Sequence, residues 1–306
     1  MGTRRWFSGL SRWIAAMSLL FTLPVPASAQ TAKLKVMGAF YPLYEWARQV
    51  GGERVEAVNL VSVGAEPHEY EPNPRDIRRI HEMDIAIDMG ASFQPALDRV
   101  LKGIRSKKPI RLTVSEGVSL KPIPGSGKNA PPDLHIWLDP VLGQQMVRKI
   151  TAALAQADPP GKTIYEANAE AYVKQLEALD REYSAGLAAC QQKEVITSHA
   201  AFAYLLERYG LRQLAIRGLS PNTEPSPRQL ARLATLAKER AIKTIYYETL
   251  VSPKIAETLA KEVGAKTLVL NPIEGLTSAE QAQGKDYLAL MRDNLANLRI
   301  GQGCVP

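Results

Sequence analysis

From Lys33 onward, short apolar runs alternate with longer stretches whose apolar residues recur at helical spacing. The runs Lys33 to Gly38, Val55 to Val63, Ile85 to Met89 and Ile110 to Val114 predict four strands. Between them Tyr41 to Val50, Pro74 to Met83 and Pro95 to Ile104 predict helices. Gly51-Gly52 stops the first, Pro74 opens the second, and Ile77, Ile80 and Met83 mark that helix's inward face. A Pro/Gly/Lys/Asn-rich loop from Lys121 to Pro132 precedes a helix from about Val141 to Ala157, which Asp158-Pro-Pro-Gly161 breaks. The alternation then resumes. Strands are predicted at Glu194 to Thr197, Leu211 to Ile216, Thr244 to Tyr247 and Thr267 to Leu270. Helices are predicted at Ala201 to Tyr209, Pro227 to Arg240, Pro253 to Val263 and Lys285 to Arg299. This order is that of an α/β fold built from two lobes, each a mostly parallel sheet flanked by helices. No repeat is visible residue by residue.

One stretch does not fit either lobe. Thr163 to about Ala189 has strong helix formers throughout, with Leu176, Leu179 and Tyr183 on one face. At ~1.5 Å per residue it would run roughly 40 Å, enough to lie along both lobes and join them as a stiff linker. The expected organisation is an N-terminal lobe at 30–158, a linker helix at 159–189 and a C-terminal lobe at 190–306. Residues 1–29 stand apart. Arg4, Arg5 and Arg12 precede an apolar stretch, Trp13 to Leu23, that is short for a bilayer span, and Ala27-Ser28-Ala29 ends it as a cleavage site would. An export signal removed before Gln30 is expected. The Sec route is the simpler reading, and Thr3-Arg4-Arg5-Trp6-Phe7 also resembles a twin-arginine signal. With no cysteine near the cleavage site, the mature chain is expected to be free in the periplasm.

Hydrophobic residues at 45% and charged residues at 23% argue against disorder and against a multi-span membrane protein. The formal charge of +7 falls by three when the three arginines of residues 1–29 are removed, and no basic block points to nucleic acid. In an oxidising compartment the two cysteines, Cys190 and Cys304, are candidates for one disulfide stapling the C-terminal tail to the start of the second lobe; two unpaired thiols are the alternative.

The candidate chemistry is concentrated in few residues. Of four histidines, three follow strand-like runs: His68 after the second, His135 in a short extended run between Pro131-Pro132 and Asp139-Pro140, and His199 directly after Glu194 to Thr197. Glu274 follows Thr267 to Asn271 in the same way. Open α/β sheets bind ligands at the loops leaving the carboxyl ends of their strands, so two side chains from each lobe are expected to meet in the cleft. Three neutral imidazoles and one carboxylate suit a tetrahedral Zn²⁺ site; calcium and magnesium prefer oxygens. Copper and nickel would also accept such a set.

Several motifs in order resemble the metal-specific solute-binding proteins of bacterial ABC importers, the zinc-uptake members above all. They are Pro67-His68-Glu69-Tyr70-Glu71-Pro72, His135 to Pro140, Ser198-His199-Ala200-Ala201-Phe202, Gly218 to Leu230, and Leu270 to Leu276. The resemblance covers nearly the whole mature chain. It implies a two-lobed fold with a connecting helix and one Zn²⁺ carried between the lobes by His68, His135, His199 and Glu274. It also implies a monomer that delivers this cargo to an inner-membrane permease and its ATPase. The histidine at the third position favours zinc over manganese. The segment Ile123 to Asp133 lacks the histidines that many zinc members carry there.

The remaining polar residues read more plainly. Glu69 and Glu71 are expected on the cleft rim, Glu224 in a structural turn, His81 in solvent and Trp137 behind His135. Asp139 reads as a helix cap, with a hydrogen bond to an imidazole as the alternative. Two other functions use the same residues: the same fold carrying Mn²⁺ or Fe²⁺, and a secreted zinc hydrolase with Glu274 as general base. The hydrolase lacks any second catalytic constellation such as H-E-x-x-H.

Overall fold

The computed structural model describes residues 1–3, 32–90, 93–122 and 131–305. Residues 4–31, where the export signal and its cleavage site are expected, and most of the loop before His135 lie outside them.

The first lobe runs β1 (Leu34–Gly38), α1 (Tyr41–Gly51), β2 (Val55–Asn59), α2 (Pro74–His81), β3 (Ile85–Asp88), α3 (Pro95–Gly103) and β4 (Ile110–Thr113). Then come α4 (Pro140–Ala157) and the linker α5 (Lys162–Leu187). The second lobe runs β5 (Glu194–Thr197), α6 (Ala203–Arg208), β6 (Arg212–Ala215), α7 (Pro227–Glu239), β7 (Thr244–Tyr247), α8 (Lys254–Val263) and β8 (Lys266–Val269). Two more helices, α9 (Ser278–Ala282) and α10 (Tyr287–Gly301), complete it. Both sheets are parallel throughout and share one topology, β2-β1-β3-β4 and β6-β5-β7-β8. The repeat that the residues hide is therefore present in the strand order.

The element boundaries follow from local chemistry. Asn73 accepts hydrogen bonds from the first-turn N–H groups of α2 while the Asp76 carboxylate accepts the Asn73 N–H, a capping box that fixes where the loop after β2 ends. Asp139 caps α4 at Val141 and Leu142, with Pro140 at the first helical position. Ser226 and Asp286 do the same for α7 and α10. The second strand is shorter than its apolar run. Leu60 and Val61 are buried but leave the ladder, because β1 ends at Gly38, the partner of Asn59.

In α5, Tyr165, Ala169, Tyr172, Val173, Leu176, Leu179, Tyr183 and Leu187 recur at three- and four-residue spacing and are buried. Its N-terminal half packs on α1 and α4, its C-terminal half on α10, where the Tyr183 hydroxyl donates to the Met291 carbonyl at 2.6 Å. The main hydrophobic core is continuous from one lobe into the other: Phe40, Trp46 and Trp137 belong to the same cluster as Phe202, Leu270 and Tyr287. A smaller core sits between β5, β7 and the outer helices α7 and α8. Cys190 and Cys304 form a disulfide across 114 residues, tying the end of α10 to the start of the second sheet. No described helix is long and apolar enough to cross a membrane.

Candidate metal centre

His68, His135, His199 and Glu274, the four residues expected to meet, do so between the two sheets. Each arrives by a different device. His135 lies in a tight bend rather than the extended run its sequence suggested, with Ile136 to Leu138 forming a 3-10 turn behind it. The bend is set by Asp133. One of its oxygens, Oδ1, accepts both the His135 backbone N–H at 2.9 Å and the ring Nδ1–H at 2.8 Å. With Nδ1 carrying the proton, the lone pair of Nε2 is turned to the centre.

His199 is held the same way from farther along the chain. Glu248, just past the end of β7, uses Oε1 to accept the His199 backbone N–H at 3.1 Å and the ring Nδ1–H at 2.7 Å. The carbonyl of His199 is also engaged, by Thr197 Oγ1 and Gln213 Nε2, each at 2.8 Å. His68 sits on the long loop between β2 and α2. Glu66 Oε1 accepts its backbone N–H at 2.9 Å, and the ring packs on Phe93 with centroids 4.5 Å apart. Among the described residues, no partner meets its Nδ1. Glu274 is 1% exposed on the turn that follows β8.

His135 follows the fourth strand of the first sheet, yet its surroundings belong largely to the second lobe. Tyr204 donates to the Asp133 carbonyl at 2.9 Å, Trp137 Nε1 donates to the Pro272 carbonyl at 2.8 Å, and Tyr287 donates to the Trp137 carbonyl at 2.5 Å. Asp139, besides capping α4, takes a bond from Arg208 Nε at 2.5 Å and reaches no imidazole. His68 and His135 come from the first half of the chain and His199 and Glu274 from the second, with the His135 stretch bonded across to the second half.

The donor atoms are close enough to be informative. Glu274 Oε1 lies 3.1 Å from His68 Nε2, 3.2 Å from His135 Nε2 and 3.4 Å from His199 Nε2. His135 Nε2 is 3.3 Å from the Nε2 atoms of both other histidines. These five separations are close to the ~3.3 Å edge of a regular tetrahedron whose centre lies ~2.0 Å from each vertex, the length of a zinc–nitrogen or zinc–oxygen bond, and all four atoms lie within 4.8 Å of one another. Three imidazole lone pairs facing one another repel unless a cation or a proton sits among them. Burial opposes charge on His199, but the carboxylates of Glu248 and Glu274 outweigh it and push its pKa up to about 10. Burial likewise opposes charge on His135, and the bonds to Asp133 and Glu274 raise its pKa. Burial dominates at His68 and lowers its pKa. Burial would raise Glu274, yet the surrounding imidazoles hold it well below the usual carboxylate range. Glu66 is pushed up to about 7, by burial first and by the Glu274 charge second.

The family described as "Zinc-uptake complex component A periplasmic" matches residues 36–301. The chain belongs to this family. It is 38% identical over 285 residues to the high-affinity zinc uptake system protein ZnuA of Bacillus subtilis, covering 89% of each chain. It is 36% identical over 290 residues to the zinc-binding protein AdcA of Streptococcus pyogenes, where it spans 88% of itself and 56% of that longer protein. Among solved structures, the Zn(II)-bound ZnuA-like domain of Streptococcus pneumoniae AdcA superposes with a TM-score of 0.78 at 38% identity, covering 89% of this chain and 99% of that one.

Of the other residues singled out, Trp137 falls where its sequence setting placed it. Trp137 is buried behind His135, ring centroids 5.0 Å apart. Glu69, Glu71, Glu224 and His81 are exposed, and Glu69 accepts a long 3.4 Å bond from Ser220 across the cleft. Asp133, Glu248 and Glu66 escaped sequence reasoning. Asp133 had a signal, an acid two residues before a candidate histidine. Glu248 had another, an acid at the carboxyl end of a strand in the same sheet as His199.

Proposed function

We propose that the protein is a high-affinity receptor that captures Zn²⁺ with His68, His135, His199 and Glu274 and hands it to the permease and ATPase of an ABC importer. The observation that carries this reading is the convergence of one carboxylate oxygen and three Nε2 atoms within 4.8 Å of one another, with five of their separations at 3.1–3.4 Å. Membership of a zinc-uptake family and the metal named in its relatives support the choice of zinc over manganese or ferrous iron. Four protein donors fill a tetrahedral shell and leave no position for a reactive water, so the site holds its ion and performs no hydrolysis. The receptor acts as a monomer in the periplasm after loss of residues 1–29. Its working parts are lobes at 30–158 and 190–306 with the helix at 159–189 between them.

The test is elemental analysis of the purified mature protein beside its Glu274→Ala variant, with competition among zinc, manganese, iron, copper and nickel. One zinc per chain is expected, with zinc lost in the variant. Manganese or iron as the bound metal, or hydrolytic activity in the parent, overturns the reading.

A further inference from the structure

The turn that presents Glu274 is held in a conformation its own sequence resists. Ile273, the residue before the carboxylate, has φ +56° although it is β-branched and fully buried. L-residues avoid this region, and a branched side chain avoids it most. Such a backbone persists only where its surroundings over-determine it.

Here the surroundings are an amide network with no loose end. Asn271 Oδ1 accepts the Ile273 N–H at 2.7 Å. Asn294, about two turns into α10 and on its buried face, embraces the backbone of Asn271 on both sides: its Oδ1 accepts the Asn271 N–H and its Nδ2 donates to the Asn271 carbonyl, each at 2.7 Å. The remaining amide of Asn271 donates to Glu280 Oε1 at 2.8 Å, and Glu280 Oε2 accepts the Thr277 N–H at 2.7 Å to cap α9. The turn is therefore pinned before and after Glu274, through side chains that are 3% (Asn271) and 1% (Asn294) exposed. A buried polar pair inside an apolar helix interface costs stability unless every group is satisfied, and this one is satisfied at the ligand-bearing loop.

Resting on the zinc reading above, we propose that Asn271 and Asn294 are positioning residues for metal capture. They hold Ile273 at positive φ so that Glu274 Oε1 meets the three imidazoles, and metal affinity depends on an α10 side chain that never touches the ion. Asn294→Leu removes both arms of the embrace. Asn294→Asp keeps the acceptor for the Asn271 N–H and sets an oxygen against the Asn271 carbonyl. Zinc affinity by competition with a chromophoric chelator, and the visible spectrum of the Co²⁺-loaded protein, are measured for the parent and both variants.

Both variants are expected to weaken zinc by about 10–100-fold and to change the Co²⁺ bands as the carboxylate leaves its place. Should Asn294→Leu fail to fold, Asn294→Asp decides. A variant that melts lower without metal yet keeps parental zinc affinity and Co²⁺ spectrum shows a merely structural amide and overturns the inference, leaving the zinc reading intact. A parent that binds neither metal overturns both.

Discussion

His68 and His135 each have an acid two residues before them, and the two pairs behave differently. At His135, the short side chain of Asp133 reaches both the backbone N–H and the ring Nδ1–H with a single oxygen. At His68, the longer Glu66 takes the backbone N–H with one oxygen, and its other oxygen goes to the Glu69 N–H at 3.4 Å. The same sequence spacing orients a ring in one case and shapes only a loop in the other. His199 reproduces the first arrangement with an acid from a different strand, Glu248. What matters is therefore the bond to Nδ1, wherever the carboxylate comes from. Two imidazoles are set by carboxylates at Nδ1, whereas the His68 ring rests on Phe93.

The largest effect expected is at the one anionic donor. Glu274→Ala should weaken zinc by more than about 100-fold, beyond the range seen when an outer partner is lost, because it leaves three neutral imidazoles and an open position. Next come the acids behind the rings. Asp133→Asn and Glu248→Gln should each cost about 10–100-fold in zinc affinity, since the charge that fixes the tautomer and raises ring basicity is removed. Glu66→Gln should cost less than either, under about 10-fold, because no ring bond is lost. Calorimetry of all four variants decides it: a Glu66 effect as large as that of Asp133 erases the distinction between the two acids.

The extent to which this was legible along the chain follows the same physics. The alternation of strands and helices, the caps at Asp139 and Ser226 and the long helix α5 rest on local patterns and are found there, and the four side chains expected to meet lie together. What depends on distant partners was not legible. The bend at His135 comes from Asp133 together with Tyr204 and Pro272, which lie 71 and 135 residues from their bonding partners Asp133 and Trp137. Its apolar neighbours alone read as an extended run. The short helix α9 was missed although Thr277 and Glu280 form a capping box three residues apart, because five residues give too little periodicity to see. Ile273 at positive φ could not be read at all. Nothing in Asn-Pro-Ile-Glu-Gly announces a left-handed isoleucine, whose N–H bonds to Asn271, itself bonded to the distant Asn294.

Acidity offers a finer probe of the two kinds of ring. With the His199 pKa up to about 10, the metal-free protein carries a proton there at neutral pH, and zinc must displace it. Burial shifts His68 the other way, whereas His135 is raised as His199 is. Zinc affinity should therefore rise by about tenfold or more per pH unit from 7 to 9, at least one proton leaving per ion, where ordinary histidines would have finished titrating. The matching stability sign is fixed. A pKa raised above the unfolded value gives the metal-free protein stability that is present below about 6.5 and is lost as pH rises towards 10, whereas zinc-loaded protein lacks that proton and that loss. In Glu248→Gln the affinity profile should flatten, because the first charge that raises His199 is gone. A profile already flat above pH 7 in the parent breaks the assignment of the proton to His199.

The smallest effect on zinc is expected at the disulfide, which lies at the amino end of β5 while His199 lies at its carboxyl end. Cys190 precedes β5 and His199 follows it, so the strand separates staple from site. Replacing both cysteines by serine opens a link spanning 114 residues, and a closed loop of that order stabilises by up to about 4.7 kcal/mol in the chain-entropy account. Denaturant unfolding of the metal-free protein should register that loss. Zinc affinity should stay within about twofold, as for sites that share no partner. If affinity falls with stability, the second lobe is not rigid enough to hold His199 and Glu274 by local bonds alone. The site would then owe its shape to the covalent tie as well as to Glu248 and Asn294.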